Sequence, residues 1–444
     1  MCSFIFTNRE ITDLDYINRV TKFRGPDLTS SETINGFNYV HNLLSITGAV
    51  TRQPFYKDDI VCVYNGEIYN HTEFGEYNSD GECLIDLYKE HGDEFTKKLD
   101  GEFAVVLIDY KNNKCIISSD VFKTKPIFYS LESNSIGVAS YSEPLIKLGH
   151  TNVVKMQANS TIVIDINSNS VIKQFQVFDF DINNQHKIHF EDWVTAYENS
   201  IRKRSLNLRE KIFIGLSSGY DSGAICHELT KQDVSFKSYI VRGTENEDIL
   251  MKRIRFLTTN NKNLDVLYKT DPKLFETVSY IKQNTEEFKY TISSSSSDYN
   301  EFWLSLTDDG GSRFMSLICE KAQKDGYKIV MSGTGPDEIF SDYGFDGRKY
   351  TNHSNFGGLF PEDLSKIFPW NSFYGSSLES YIAKEEYVGG SYGIEVRYPF
   401  LDKSVVQEFL WLHHGLKNSN YKAPLHFYLE KYNFPYNKNI KQGF

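Results

Sequence analysis

The sequence predicts two folded halves of different class: a β-rich N-terminal domain and a C-terminal α/β domain on a parallel sheet. Three observations predict this. Residues 1–175 carry many short β-type runs, separated by breaks rich in Asn, Gly and Asp. Residues 176–191 are polar and irregular, which marks a linker. Residues 192–444 alternate helix-type and strand-type segments, as a parallel sheet covered on both faces requires. The length of 444 residues, 40% hydrophobic and 24% charged, suits two or three domains of an ordinary globular protein.

In the first half the expected strands are Ile60–Val63, Phe103–Asp109, Lys114–Ser118, Ile127–Ser130 and Ser160–Ile166, with one helix near Glu82–His91. The second half should open with a helix from Asp192. A buried strand Lys211–Leu216, a helix Ser222–Lys231, a strand Ser238–Val241 and a later strand Lys328–Ser332 follow. The run Ser293–Ser297 is low-complexity and reads as a mobile loop.

Bulk properties exclude several functions. No apolar run approaches the ~18 residues that span a bilayer, and no signal peptide precedes Cys2. Six scattered cysteines with no CxxC pair read as free thiols in a reducing compartment, hence a cytoplasmic protein. A net charge of −11 without a Lys/Arg stripe argues against nucleic acid as a partner. A phosphate ligand must then be held by local backbone amides and a metal ion.

Cys2 opens the chemical reading. Once Met1 is removed, this residue carries a nucleophilic thiol and a free α-amine that can act as its base. Arg24-Gly25-Pro26-Asp27 alone is a turn signature. The string Asn65-Gly66-Glu67-Ile68-Tyr69-Asn70-His71 is either a hairpin turn or an oxyanion hole, with the Asn65 carboxamide and Gly66 amide as donors. Asp80 is either a helix N-cap or a partner for the α-ammonium of an amino acid.

In the second half, Leu216-Ser217-Ser218-Gly219-Tyr220-Asp221-Ser222 lies between a predicted strand and a predicted helix. Small residues there let the backbone curl round an anion at a helix N-terminus. Val330-Met331-Ser332-Gly333-Thr334-Gly335-Pro336-Asp337-Glu338 repeats the pattern. Each turn carries an aspartate, so a nucleotide site with a shared Mg2+ is the leading reading.

The ordered set Cys2, RGPD, NGEIYNH, SD-x-E, DGEFA and Asp120-x-x-x-x-Lys125-Pro126 resembles the class II (N-terminal-nucleophile) glutamine amidotransferase domain of glutamine-dependent asparagine synthetases. The second half resembles the pyrophosphate-loop synthetase domain of the same family. Its two acidic turns, Gly393-Ile394-Glu395-Val396-Arg397-Tyr398-Pro399-Phe400-Leu401-Asp402, and the terminal Lys441-Gln442-Gly443-Phe444 carry that likeness. The resemblance implies an Ntn-type α+β sandwich of antiparallel sheets with flanking helices, followed by an α/β sheet of adenine nucleotide alpha-hydrolase-like (PP-loop) type.

It further implies that Cys2 attacks glutamine while Asn65 and Gly66 hold the oxyanion. Position 43, Ser45, Thr47, Asn65, Gly66, Glu67 and Asp80 would bind glutamine. Leu216, Ser217, Ser218, Gly219, Asp221, Ser222, Val241, Ser332 and Gly333 would bind ATP, and Asp221 and Asp337 would hold Mg2+. Thr334, Asp337, Glu338, Glu395, Arg397 and Asp402 would meet the carboxylate substrate, with Lys441 on the transferring phosphates. A homodimer is the assembly this resemblance admits.

Three departures stand out. Leu43 occupies the place of the arginine that clamps the glutamine α-carboxylate, with Arg24 or Arg52 as candidate substitutes. Gly223 stands where the loop usually ends in serine. Thr334 stands where asparagine synthetases have a glutamate. The resemblance makes aspartate the default acceptor, while Leu43 and Thr334 favour the second reading, amidation or cyclisation of another carboxylate (a sugar, nucleotide, peptide or small metabolite). A non-catalytic relative serving as a binding subunit is the third.

Overall fold

The computed structural model describes residues 2–243, 245–293 and 301–440. The first half is a four-layer sandwich of two antiparallel sheets. One sheet holds β1 (Ser3–Thr7), β2 (Leu28–Ile34), β3 (Phe37–Leu43), β8 (Phe128–Glu132), β9 (Ser135–Ala139) and β10 (Val154–Lys155). The other holds β4 (Phe55–Lys57), β5 (Ile60–Ile68), β6 (Gly101–Asp109), β7 (Lys114–Ser119), β11 (Thr161–Asp165) and β12 (Ser170–Phe175). Alternation along β5 and β6 explains the layering. Val61, Val63, Ala104, Val106 and Ile108 face the first sheet. Cys62, Tyr64, Phe103, Val105 and Leu107 face outward onto helix α1 (Cys83–His91). Both faces of this sheet are therefore buried, although its strands are antiparallel.

The second half is a parallel sheet in the order β15-β14-β13-β16-β17: Asn263–Tyr268, Phe236–Arg242, Lys211–Gly215, Tyr327–Met331 and Glu395–Arg397. Its helices are α2 (Glu191–Ser205), α3 (Tyr220–Lys231), α4 (Glu247–Thr259), α5 (Gly310–Lys324), α6 (Pro336–Ile339), α7 (Ser376–Ser391), α8 (Lys403–Trp411) and α9 (Ala423–Lys431). The chain runs outward from β13 to β14 and β15, then returns to β16 on the other side of β13. Right-handed crossovers place α3 and α4 on one face and α5 and α7 on the other. The strand order reverses between β13 and β16, the position at which open α/β sheets bind ligands beyond their strand ends.

One apolar core crosses from one half into the other, since Leu44, Ile46, Val121 and Phe122 pack with the core of the second half. Each strand and helix expected above is present within a few residues of its expected bounds. Ser293 closes a short strand, Lys289–Ser293, and Ser294–Ser297 lie outside the described residues. No described helix is long and apolar enough to cross a membrane.

Candidate active site

Cys2 immediately precedes β1 and is buried. Its backbone N–H donates to Asn65 Oδ1 at 2.8 Å, and its Sγ lies 3.9 Å from the Leu44 carbonyl. Burial pushes the thiol up to about 11. Asn65 and Gly66 are not a hairpin turn: both sit inside β5, paired to Ala104 and Phe103. The Asn65 Nδ2 is buried with no hydrogen-bond partner among the described residues, an orphaned donor beside the nucleophile. Gly66 has φ +142°, and a Cβ there would lie 1.9 Å from the Glu102 carbonyl oxygen, so the strand requires glycine at this point.

Two residues downstream, Glu67 accepts from Thr47 Oγ1 at 2.8 Å. Asp80 does not cap a helix. Its carboxylate turns to β5 and accepts from Tyr64 Oη at 2.5 Å and the Ile68 amide at 2.7 Å. Ser45 offers its amide to Asp27 at 2.9 Å. Leu43 is buried at the end of β3. Of the two candidate substitutes for the missing arginine, Arg24 is already committed. Arg24 is fully buried and bonded to the Cys2 carbonyl (3.1 Å), Tyr141 Oη (2.9 Å) and Glu386 Oε2 (2.6 Å). Arg52 is exposed. The cation beside Glu67 instead comes from the other half: Arg397 Nη2 lies 3.2 Å from Glu67 Oε1.

That contact corrects one expectation. Glu395, Arg397 and Asp402 do not line the cavity of the second half; they are buried in the contact between the halves. Arg397 pairs with Glu395 at 2.6 Å, and Asp402 pairs with Arg204 at 2.8 Å and caps α8 through the Ser404 amide. Arg204 in turn reaches Glu102 at 2.8 Å, while Lys125 bridges Glu102 (3.4 Å) and Glu386 (3.1 Å). A charged segment that packs against another domain must be paired there, which is why this motif serves the interface.

The second centre is a cavity of about 270 Å³ at the ends of β13 and β16. Ser217, Gly219, Asp221, Ser222, Ser332, Gly333, Thr334, Asp337 and Glu338 line it, as expected. Leu216, Ser218 and Val241 do not. Leu216 and Val241 lie in the hydrophobic core beneath, where their apolar side chains are buried. The loop after β13 is closed by Ser217 and Ser222 hydroxyls 2.9 Å apart, and the Ser217 amide donates to Ser222 Oγ at 3.1 Å. Glu245 accepts from the Ser218 amide at 2.6 Å, so this loop already holds an anion. Gly223 has a steric reason: a Cβ there would lie 2.3 Å from Arg253 Nη2, whose guanidinium braces the loop through the Gly219 carbonyl at 2.9 Å.

Asp221 and Asp337 converge on one cation. Lys422 Nζ lies 2.8 Å from Asp221 Oδ2 and 3.0 Å from Asp337 Oδ1. Burial works against its charge, but the two carboxylates outweigh burial and hold the ammonium above the usual lysine range. Lys422 sits in the left-handed region (φ 49°) just before α9, a conformation that costs a non-glycine residue and recurs at functional sites. No sequence signal marked Lys422, a lone lysine before Ala423-Pro424. Glu385 and Lys384, which also line the cavity, were equally unmarked within a polar helix. Lys441 lies outside the described residues.

A family model for a glutamine amidotransferase domain matches residues 1–184. A Methanocaldococcus jannaschii sequence carrying the name asparagine synthetase (glutamine-hydrolyzing) 1 is 28% identical over 406 residues, covering 85% of this chain and 69% of that one. Asparagine synthetases (glutamine-hydrolyzing) of Mesocricetus auratus and Sandersonia aurantiaca are 23% and 25% identical, covering 88% of this chain and 72% and 73% of theirs. A solved structure of glutamine phosphoribosylpyrophosphate amidotransferase from B. subtilis aligns over 100% of this chain and 98% of its own at 11% identity. Its TM-score is only 0.34. Its N-terminal glutamine amidotransferase domain and the relatives that span most of its length make the chain similar to the glutamine-dependent asparagine synthetases.

Proposed function

We propose that this enzyme hydrolyses glutamine at Cys2, adenylates a substrate carboxylate with ATP in the second cavity, and amidates it with the ammonia released. Aspartate is the default acceptor. The observation that carries the reading is the convergence of Asp221 and Asp337 on a single cation at the point where the strand order reverses.

The chain's own groups divide the work. The Cys2 thiol supplies the nucleophile, and the amine freed by removal of Met1 takes its proton. Asn65 Nδ2 has no other partner among the described residues and can donate to the oxyanion that forms on the glutamine amide. Asp80 and Glu67 offer carboxylates to the α-ammonium of the substrate. In the second cavity the Ser217–Ser222 loop cradles the phosphates with its amides and the N-terminus of α3.

Mg2+ fits the residues present: Asp221 and Asp337 offer hard oxygen donors where Lys422 now places its charge. Mg2+ commonly takes one or two carboxylates and completes its shell with phosphate and water. When bound, the ion would neutralise the negative charge that builds on the departing pyrophosphate.

Thr334 favours a second reading, an acceptor other than aspartate. Its hydroxyl is turned to Glu385 at 3.1 Å and so offers the substrate no charge of its own. ATP–pyrophosphate exchange with a panel of carboxylates decides between the two. Exchange with aspartate supports the default, exchange with a different acid identifies the acceptor, and exchange with none refutes an adenylating enzyme.

A further inference from the structure

The geometry points to Glu385 as the general base of the amidation step, the carboxylate that takes a proton from the nitrogen nucleophile as it attacks the activated acyl group. This deepens the function proposed above and rests on it.

Glu385 and Glu386 are neighbours on α7, and successive side chains of a helix point about 100° apart. Glu386 turns to the first domain, where it takes Arg24 Nη2 at 2.6 Å and Lys125 Nζ at 3.1 Å. Arg24 in turn donates from Nε to the Cys2 carbonyl at 3.1 Å. Glu385 turns the other way and lines the synthetase cavity. It therefore stands on a helix shared by the cavity wall and the contact with the first domain.

Its chemistry suits a base. Oε2 accepts from Ser332 Oγ at 2.7 Å and Oε1 from Thr334 Oγ1 at 3.1 Å, so two neutral hydroxyls fix the carboxylate and leave lone pairs unused. The other acids lining the cavity are committed: Asp221 and Asp337 to Lys422, and Glu338 to Tyr343 Oη. Of the charges around Glu385, Lys384 is paired with Asp309 at 3.2 Å and Glu386 with Arg24 and Lys125. Burial lifts Glu385 above the ordinary carboxylate range, and Glu386 adds to this against Lys384.

The step balances without a further reactant. A C–N bond forms between ammonia and the acyl carbon, and the C–O bond to the adenylate phosphate breaks. AMP leaves with that electron pair, and one nitrogen proton passes to the Glu385 carboxylate.

The test is made on the full chain, with ammonium salt as nitrogen source and the acceptor found by exchange. In Glu385→Gln, amide formation should fall by about 10²–10⁴. ATP–pyrophosphate exchange should fall at least about tenfold less, and Glu385→Asp should recover part of the lost amidation. Parallel loss of exchange and amidation would make Glu385 a packing or adenylation residue and overturn the inference, as would amidation at the wild-type rate. Absence of exchange in the wild-type protein would overturn the adenylating function itself, and the base with it.

Discussion

The surroundings of Cys2 and of Thr334 differ in how the fold builds them. Around Cys2 the reactive groups come from paired strands, Asn65, Gly66 and Glu67 being consecutive residues of β5, and the Asn65 and Glu67 side chains are buried. Around Thr334 the groups come from the ends of β13 and β16 and from α7 and Lys422, four separate stretches that meet over an open cavity. A strand-built site fixes a few atoms closely and leaves little room for change. A loop-and-helix site can exchange one carboxylate position for another, here Glu385 facing Thr334.

The two sites can be separated by mutation, and the largest effect should fall on the strand-built one. Cys2→Ala should lower glutamine-driven amide formation by about 10⁴-fold or more, as loss of a nucleophile does, while ammonia-driven formation stays within about threefold. Equal loss of both would mean that the sites are not separate. Asp221→Asn or Asp337→Asn should do the reverse. ATP-dependent turnover should drop by about 10²–10³, with glutamate release from glutamine within about fivefold of wild type.

The join between the halves gives the next effect. Arg24 and Glu386 are a buried pair at 2.6 Å, so Arg24→Ala leaves Glu386 with Lys125 as its one remaining ion-pair partner among the described residues and should cost up to about 3 kcal/mol in urea unfolding. Adding Glu386→Gln should cost less than the sum of the two single changes. Strict additivity would show that the pair does not couple the domains.

The smallest effect is one of pH. Burial holds the Cys2 thiol protonated at neutral pH, so its alkylation by iodoacetamide should rise about tenfold per pH unit and level off near 11. The other five thiols are pushed higher still by burial and should react later. Mass spectrometry of alkylated peptides checks the order. Levelling below pH 9 would show a thiol far less desolvated than its burial implies.

Much of both sites was legible because the groups are contiguous. Asn65-Gly66-Glu67 occupy one strand, and Ser217–Ser222 and Ser332–Asp337 each form one strand-to-helix turn, so local sequence carries their geometry. The sheet classes were legible for a similar reason, from the spacing of strands and helices. What escaped depends on packing between distant segments. Lys422 reaches Asp221 across 201 positions, and Arg24 reaches Glu386 across 362. Nothing local distinguishes those side chains from solvated ones. Glu395, Arg397 and Asp402 were misplaced for the same reason: their motif is contiguous, but whether it faces a cavity or a neighbouring domain is settled only by the domain contact. Nor could sequence show that Arg24, one of two candidates to replace the arginine lost at Leu43, is consumed by Glu386.

The central claim is that glutamine hydrolysis at one end drives an adenylation-dependent ligation at the other. Its most direct test measures glutamate, AMP and pyrophosphate together in the wild-type protein supplied with glutamine, ATP, Mg2+ and the acceptor. The account predicts that all three appear in equal amounts as amide is formed. Amide formed while ATP is cleaved to ADP and phosphate would contradict it.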